Sequence, residues 1–152
     1  GRMFAAVLLG VGLVSATGLV HFLVLVPIVR RIRATNKRPL ARDMAVLVAV
    51  VVAHCAEAGL YAGGFVLGPE LGLGAFAQVE AMGWMDYFYF SLVNYNTLGL
   101  GDIHPTGHLR FIAGVEALNG FLLISCSASI LFDLMRQETS DSRAPDRPAK
   151  TQ

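Results

Sequence analysis

Three stretches of this chain are too long and too apolar to be packed inside a small soluble domain. Met3 to Val29 contains no Asp, Glu, Lys or Arg, Met44 to Leu67 contains only Glu57, and Phe111 to Met135 contains only Glu116 and Asp133. Crossing a bilayer takes about 20 predominantly apolar residues, and each stretch is long enough. Charge supports the same reading. Only 15% of the 152 residues are charged, against roughly 25% in an average soluble domain. Those charges cluster, basic ones at positions 30–42 and mixed ones in the tail from Arg136. A surface with so few charges cannot be solvated by water, so the chain is expected to be an integral membrane protein. The first stretch also far exceeds the apolar run of about 7–15 residues found in secretory signal peptides.

Orientation follows from the basic residues. Arg30, Arg31, Arg33, Lys37, Arg38 and Arg42 lie between the first two stretches, whereas residues 68–83 contain no Lys or Arg. Positive loops stay cytoplasmic. The expected topology is amino terminus outside, loop 30–42 inside, residues 68–110 outside and carboxyl tail inside, in the cell membrane. The tail, 136–152, is polar without apolar periodicity and is expected to be disordered. Residues 1–135 are read as one transmembrane domain, with spans at 3–29, 44–67 and 111–135. Cys55 and Cys126 both fall in apolar stretches, so a disulfide framework is excluded. A net charge of +1 gives no reason to expect nucleic acid as a partner. No nucleophile–base pair or metal-spaced cluster is legible, and the chain is not expected to be an enzyme. No soluble ligand-binding domain is expected within these residues.

The remaining apolar segment lies between the second and third spans. Trp84 to Tyr95 holds six aromatic residues in twelve positions, too short to cross a bilayer and too apolar for a solvent loop. A re-entrant helix resolves the conflict, since irregular backbone at membrane depth is tolerated where it lines a wet cavity. Thr97-Leu98-Gly99-Leu100-Gly101-Asp102 follows, with glycine at alternate positions. Glycine accepts backbone angles that bring successive carbonyls to one side, and a carbonyl stack can replace a cation's hydration shell. A helix ending near Asn96 would aim its partial negative charge at the ion path.

The run Y-F-S-L-V-N-Y-N-T-L-G-L-G-D resembles the pore helix and selectivity filter of tetrameric potassium channels, whose signature is T-V-G-Y-G-D. The likeness extends from Trp84 through Met135, including Pro105, Gly107 and Arg110 in P-x-G-x-x-R spacing and a following helix with Glu116 and Gly120. It implies an all-α membrane fold of three transmembrane helices plus a re-entrant pore helix and filter (84–102), assembled as a homotetramer in the lipid bilayer. It also implies that Thr97, Leu98, Gly99 and Leu100 bind K+ through their carbonyls, that Gly101 shapes the outer end, and that Tyr89 and Asp102 brace the filter. No cofactor is expected besides K+ in the filter. Three departures matter: Leu98 and Leu100 replace the family's valine and tyrosine, and Asn96 replaces the first threonine of a Thr-Thr pair. Potassium selectivity is expected, with more sodium leak than through a tyrosine filter. No span carries the periodic arginines of a voltage sensor.

Other polar residues leave alternatives open. Ser125, with Ser127 and Ser129, is available to line an inner cavity. Gly120 is either a flexible point of the inner helix or a close-packing position, and Asp133 either rings the cytoplasmic mouth or is simply solvated. His54 and Glu57, three apart, share a helix face and form either a structural pair or a proton sensor. His104 and His108 flank the outer mouth and are either solvated or a site of proton block. Three other functions compete. One is a weakly selective cation channel, and another is a non-conducting channel-like subunit. The third is a membrane b-type cytochrome using His21 and His54, which lie at comparable depth.

Overall fold

The computed structural model describes residues 1–35, 38–77 and 81–141, and these are almost wholly helical. Three helices are long and apolar enough to cross a membrane: Arg2–Thr35, Pro39–Glu70, and the last helix over Leu109–Asp133. Between the second and third lies a short helix, Trp84–Tyr95.

The first helix contains a π-helical turn at Val20–Leu25. Its cause is local. Pro27 has no N–H to donate, and its ring would strike the carbonyl four residues back. The turn before it therefore widens, with the Val26 N–H bonded to the His21 carbonyl. This helix runs past the apolar stretch through Arg30, Arg31 and Arg33 to Thr35, because helical hydrogen bonding does not stop where the apolar residues stop. Arg38, before Pro39, has ψ 113°, the extended conformation that a following proline imposes. Pro39 then opens the second helix at a position where a missing N–H costs nothing. Gly72, at φ +65°, turns the chain away after Glu70.

The short helix starts at Gly83, whose N–H donates to Asp86 Oδ2 at 2.8 Å. That carboxylate also suits the helix's positive end. Two-residue strands, Phe76–Ala77 and His104–Pro105, pair antiparallel and tie the segments flanking the short helix together. The last helix continues to Asp141. The expectation of a disordered tail from Arg136 is thus corrected for Arg136 to Asp141. No Gly or Pro interrupts that run, and Arg, Gln and Glu propagate a helix well. Residues 142–152 lie outside the described residues.

The core forms where the short helix wedges between the second and last helices. Tyr61, Phe65, Phe90, Tyr95, Leu109 and Ile112 are buried there. Phe65, Phe76 and Phe90 meet edge to face with centroids 5.1–5.6 Å apart, each pair adding about 0.5–1.5 kcal/mol beyond its burial. Small residues set the helix spacing: Leu13 fills the space beside Gly64, and Leu109 the space beside Gly68. Leu8, Phe22, Leu23, Val51, Val52, Leu118, Phe121 and Phe132 are exposed. Such an apolar exterior needs lipid or another chain against it.

Candidate ion-conducting loop and its buried supports

The loop after the short helix takes over that helix's last carbonyls. Thr97 N–H bonds Asn94 O at 2.8 Å and Leu98 N–H bonds Val93 O at 3.0 Å, while Asn96 Nδ2 donates back to Leu92 O at 2.7 Å. Beyond this anchor the backbone alternates. Thr97, Gly99 and Gly101 have φ of +59°, +57° and +80°, and neither Leu98 nor Leu100 has a positive φ. Thr97 is the one non-glycine residue with positive φ among the described residues. A β-branched side chain there is strained, and strain of this kind persists only where the surroundings enforce it. All five residues from Thr97 to Gly101 are exposed on the single chain.

The far end of the loop is strapped to the short helix. Tyr89 Oη donates to Asp102 Oδ2 at 2.9 Å. The carboxylate that accepts this bond holds the phenol above its ordinary pKa. Behind the loop, among Tyr89, Phe90, Val93, Asn94 and residues 99–103, only about 20 Å³ of space remains. The loop therefore rests on the short helix with little room to collapse backward.

Two fully buried carboxyl groups hold the short helix from behind, one from each flanking span. Glu116, on the last helix, contacts Ser91 Oγ and accepts from Asn94 Nδ2 at 2.6 Å. Asn94 uses its second N–H on Ala113 O at 2.8 Å. Ser91 Oγ also lies 2.6 Å from Ala58 O. A hydroxyl has one proton to give, so both Ser91 contacts are satisfied when Glu116 carries a proton and donates it to Ser91.

Glu57, on the second helix, gathers three donors. Its Oε2 receives Tyr95 O–H at 2.5 Å and lies 2.7 Å from His54 Nδ1, while its Oε1 lies 3.1 Å from His21 Nδ1. His54 Nε2 reaches Ser127 Oγ on the last helix at 3.0 Å. Tyr95, the last residue of the short helix, also presses its carbonyl on Gly120, where a Cβ would lie 2.1 Å from that oxygen. The first helix joins through His21 and through Thr17, whose Oγ1 accepts from Asn119 Nδ2 at 2.7 Å.

The structure sorts the remaining candidates. His54 and Glu57 do pair, with Tyr95 and His21 as unforeseen partners, and Glu57 is fully buried. Gly120 sits at a close-packing position. Ser125 and Ser129 share the exposed face of the last helix, each bonded to a carbonyl four residues back. Ser127, grouped with them as a cavity residue, is instead buried against His54, because a step of two residues turns a helix to its other side. Asp133 and His104 are exposed, and His108 is half-buried at the start of the last helix. The cytochrome reading fails on geometry. The His21 and His54 ring centroids are 5.8 Å apart with both Nδ1 atoms turned to one carboxylate, which leaves no space for a macrocycle between them.

A short helix held between two spanning helices, followed by a strained glycine-containing loop, is the arrangement of a pore-loop domain. Over residues 45–137 the chain matches the family described as ion channel, a stretch that begins in the second helix and ends in the last. The chain belongs to the ion channel family. The first helix of this channel precedes the matched stretch, yet it is bonded to both channel helices. No curated protein and no solved structure matches the chain.

Three signals for this site were visible in advance: the T-L-G-L-G-D run, the Tyr89–Asp102 pairing implied by the resemblance, and the three-residue spacing of His54 and Glu57. Nothing local marked the grip of Glu116 on Ser91 and Asn94, or Tyr95 as a partner of Glu57. Likewise, three ligand-type side chains converge at His21, His54 and Glu57 where no metal-like spacing exists along the chain.

Proposed function

We propose that the channel is a homotetramer that passes K+ passively through a filter of backbone carbonyls at Thr97, Leu98, Gly99 and Leu100, with Gly101 shaping the outer end. One loop per chain cannot enclose an axis, and four copies close one. The observation that carries the reading is the alternation of φ along 97–101. Left- and right-handed residues in turn bring successive carbonyls to one side, and that lining suits a dehydrated cation. The Tyr89–Asp102 bond supports a filter held at fixed width. Leu98 and Leu100 supply carbonyls as well as any residue does, but Leu100 has no hydroxyl with which to brace the filter. Selectivity is therefore K+ over Na+ with a measurable Na+ leak. In the membrane, loop 30–42 faces the cytoplasm and residues 68–110 face outward, as the arginine distribution favours. Ser125 and Ser129 face the inner cavity, and Asp133 lies near its cytoplasmic mouth.

The test is reversal potential in planar bilayers containing purified protein, with K+ on one side and Na+ on the other. A potential near that of K+ is expected. Equal permeability would replace this reading with a weakly selective cation channel, and absence of current or liposome K+ flux would make it a non-conducting subunit.

A further inference from the structure

We propose that His21, His54 and Glu57 form a binding site for a divalent transition-metal ion of the zinc type, about halfway through the membrane, clasping the first helix to the pore domain. Two imidazoles and a carboxylate are a donor set that zinc accepts. One ligand atom from each lies within 4.8 Å of the others. The nitrogen–oxygen separations are already 3.1 Å for His21 and 2.7 Å for His54. A tetrahedral zinc with bonds of about 2.0–2.1 Å holds neighbouring ligand atoms about 3.3 Å apart, close to these two separations, one to each Glu57 oxygen.

The surroundings are built as metal sites are built. When Nδ1 of His54 faces the ion, its Nε2–H donates to Ser127 Oγ, now at 3.0 Å. Tyr95 O–H stays on Glu57 Oε2 at 2.5 Å. Partners of this kind fix the tautomer and the orientation of metal ligands. The His21 ring is fully buried and its Nε2 has no hydrogen-bond partner, so Nδ1, turned to Glu57 Oε1, is the nitrogen it offers to an ion. His21 also sits in the one π-helical turn among the described residues. Turns of that kind recur at functional sites, and this one sets the rotation that carries His21 toward Glu57. The route in is from the His54 side: its side chain is 14% exposed, while those of Glu57 and His21 are fully covered.

Binding a dication here exchanges hydrogen bonds for coordination bonds that tie the first helix to the second, with Tyr95 and the filter next in line. The experiment uses the full chain, purified and stripped with a chelator. Zn2+ retained after desalting is counted by elemental analysis, and Co2+ is titrated in as a visible-absorbing probe. One Zn2+ per chain, Co2+ bands displaced by Zn2+, and a Zn2+-induced rise in melting temperature are expected. His21→Ala, His54→Ala and Glu57→Ala should each lose these signals, and Ser127→Ala should weaken binding about 10-fold. The double variants His104→Ala/His108→Ala and Cys55→Ser/Cys126→Ser should bind as the parent does. Should Glu57→Ala fail to fold, the more accessible His54→Ala decides. The proposal is overturned if the parent retains no Zn2+, or if binding survives loss of His21 and His54.

Discussion

Replacing Gly120 with alanine tests how the inner helix supports the filter. The added methyl carbon would lie 2.1 Å from the Tyr95 carbonyl oxygen and 2.9 Å from the Tyr95 ring. Ordinary contact is near 3.5 Å, so something must move by more than an ångström. The obstacle is backbone and cannot rotate away, and Tyr95 is tethered to Glu57 at its other end. Overpacking of a core costs about 1–3 kcal/mol, with rigid sites at the upper end. Alanine returns at most about 1 kcal/mol through its better helix propensity, which leaves a net loss of about 2 kcal/mol. For a chain of this size that corresponds to a melting temperature lower by roughly 4–8 °C. The single tryptophan, Trp84 at the start of the short helix, reports unfolding by its fluorescence. Ion flux should fall too, because Tyr95 lies two residues before Thr97, where the loop begins. Gly12→Ala is the control: nothing lies within 4 Å of its Cβ position, and its stability should hold or rise slightly. If Gly120 acts chiefly as a hinge, its alanine variant will melt like the parent and differ only in open probability. That result would refute the packing argument.

Other expectations concern the loop and its second support. Tyr89→Phe removes the strap to Asp102 and should shift the reversal potential toward Na+. The same bond predicts a pH dependence in the parent. A phenol whose pKa is raised in the folded state contributes fully below the ordinary tyrosine value and loses that contribution as pH rises from there through the raised value. Sodium leak should therefore grow at strongly alkaline pH, and Tyr89→Phe should lack that increase. Glu116→Gln places an amide where the carboxyl stands, so it can donate to Ser91 and accept from Asn94. Size-exclusion profiles and melting should stay near those of the parent. Glu116→Ala takes the acceptor from one N–H of the half-buried Asn94, while Ser91 keeps Ala58 O and Asn94 keeps Ala113 O. The loss is about 1–3 kcal/mol, and the yield of folded protein should drop.

Much of the channel was legible because its signals are local. Apolar content marks each span, since the bilayer selects residues one segment at a time. Glycine at 99 and 101 announces an unusual backbone through missing side chains. The wedge of aromatic residues at 84–95 was readable because it is too short to span and too apolar to lie in water. The last helix carried on past Arg136 because continuity depends on backbone hydrogen bonding, which hydropathy does not track.

Partner choice inside the membrane followed another rule. His54 and Glu57 are three apart on one helix, and that pair could be foreseen. His21 is 36 positions from Glu57, Tyr95 is 38, and Ser127 is 73 from His54. Whether such residues meet depends on how each helix is rotated about its axis. That rotation is set by close contacts such as Leu13 beside Gly64 and Leu109 beside Gly68, and in the first helix by the widened turn ahead of Pro27. The amino-acid order alone thus determined that this chain enters a membrane and where its filter-like loop lies. Only the tertiary structure decided which buried polar groups hold that loop, because helix rotation is a property of packing between segments and leaves no mark within any one of them.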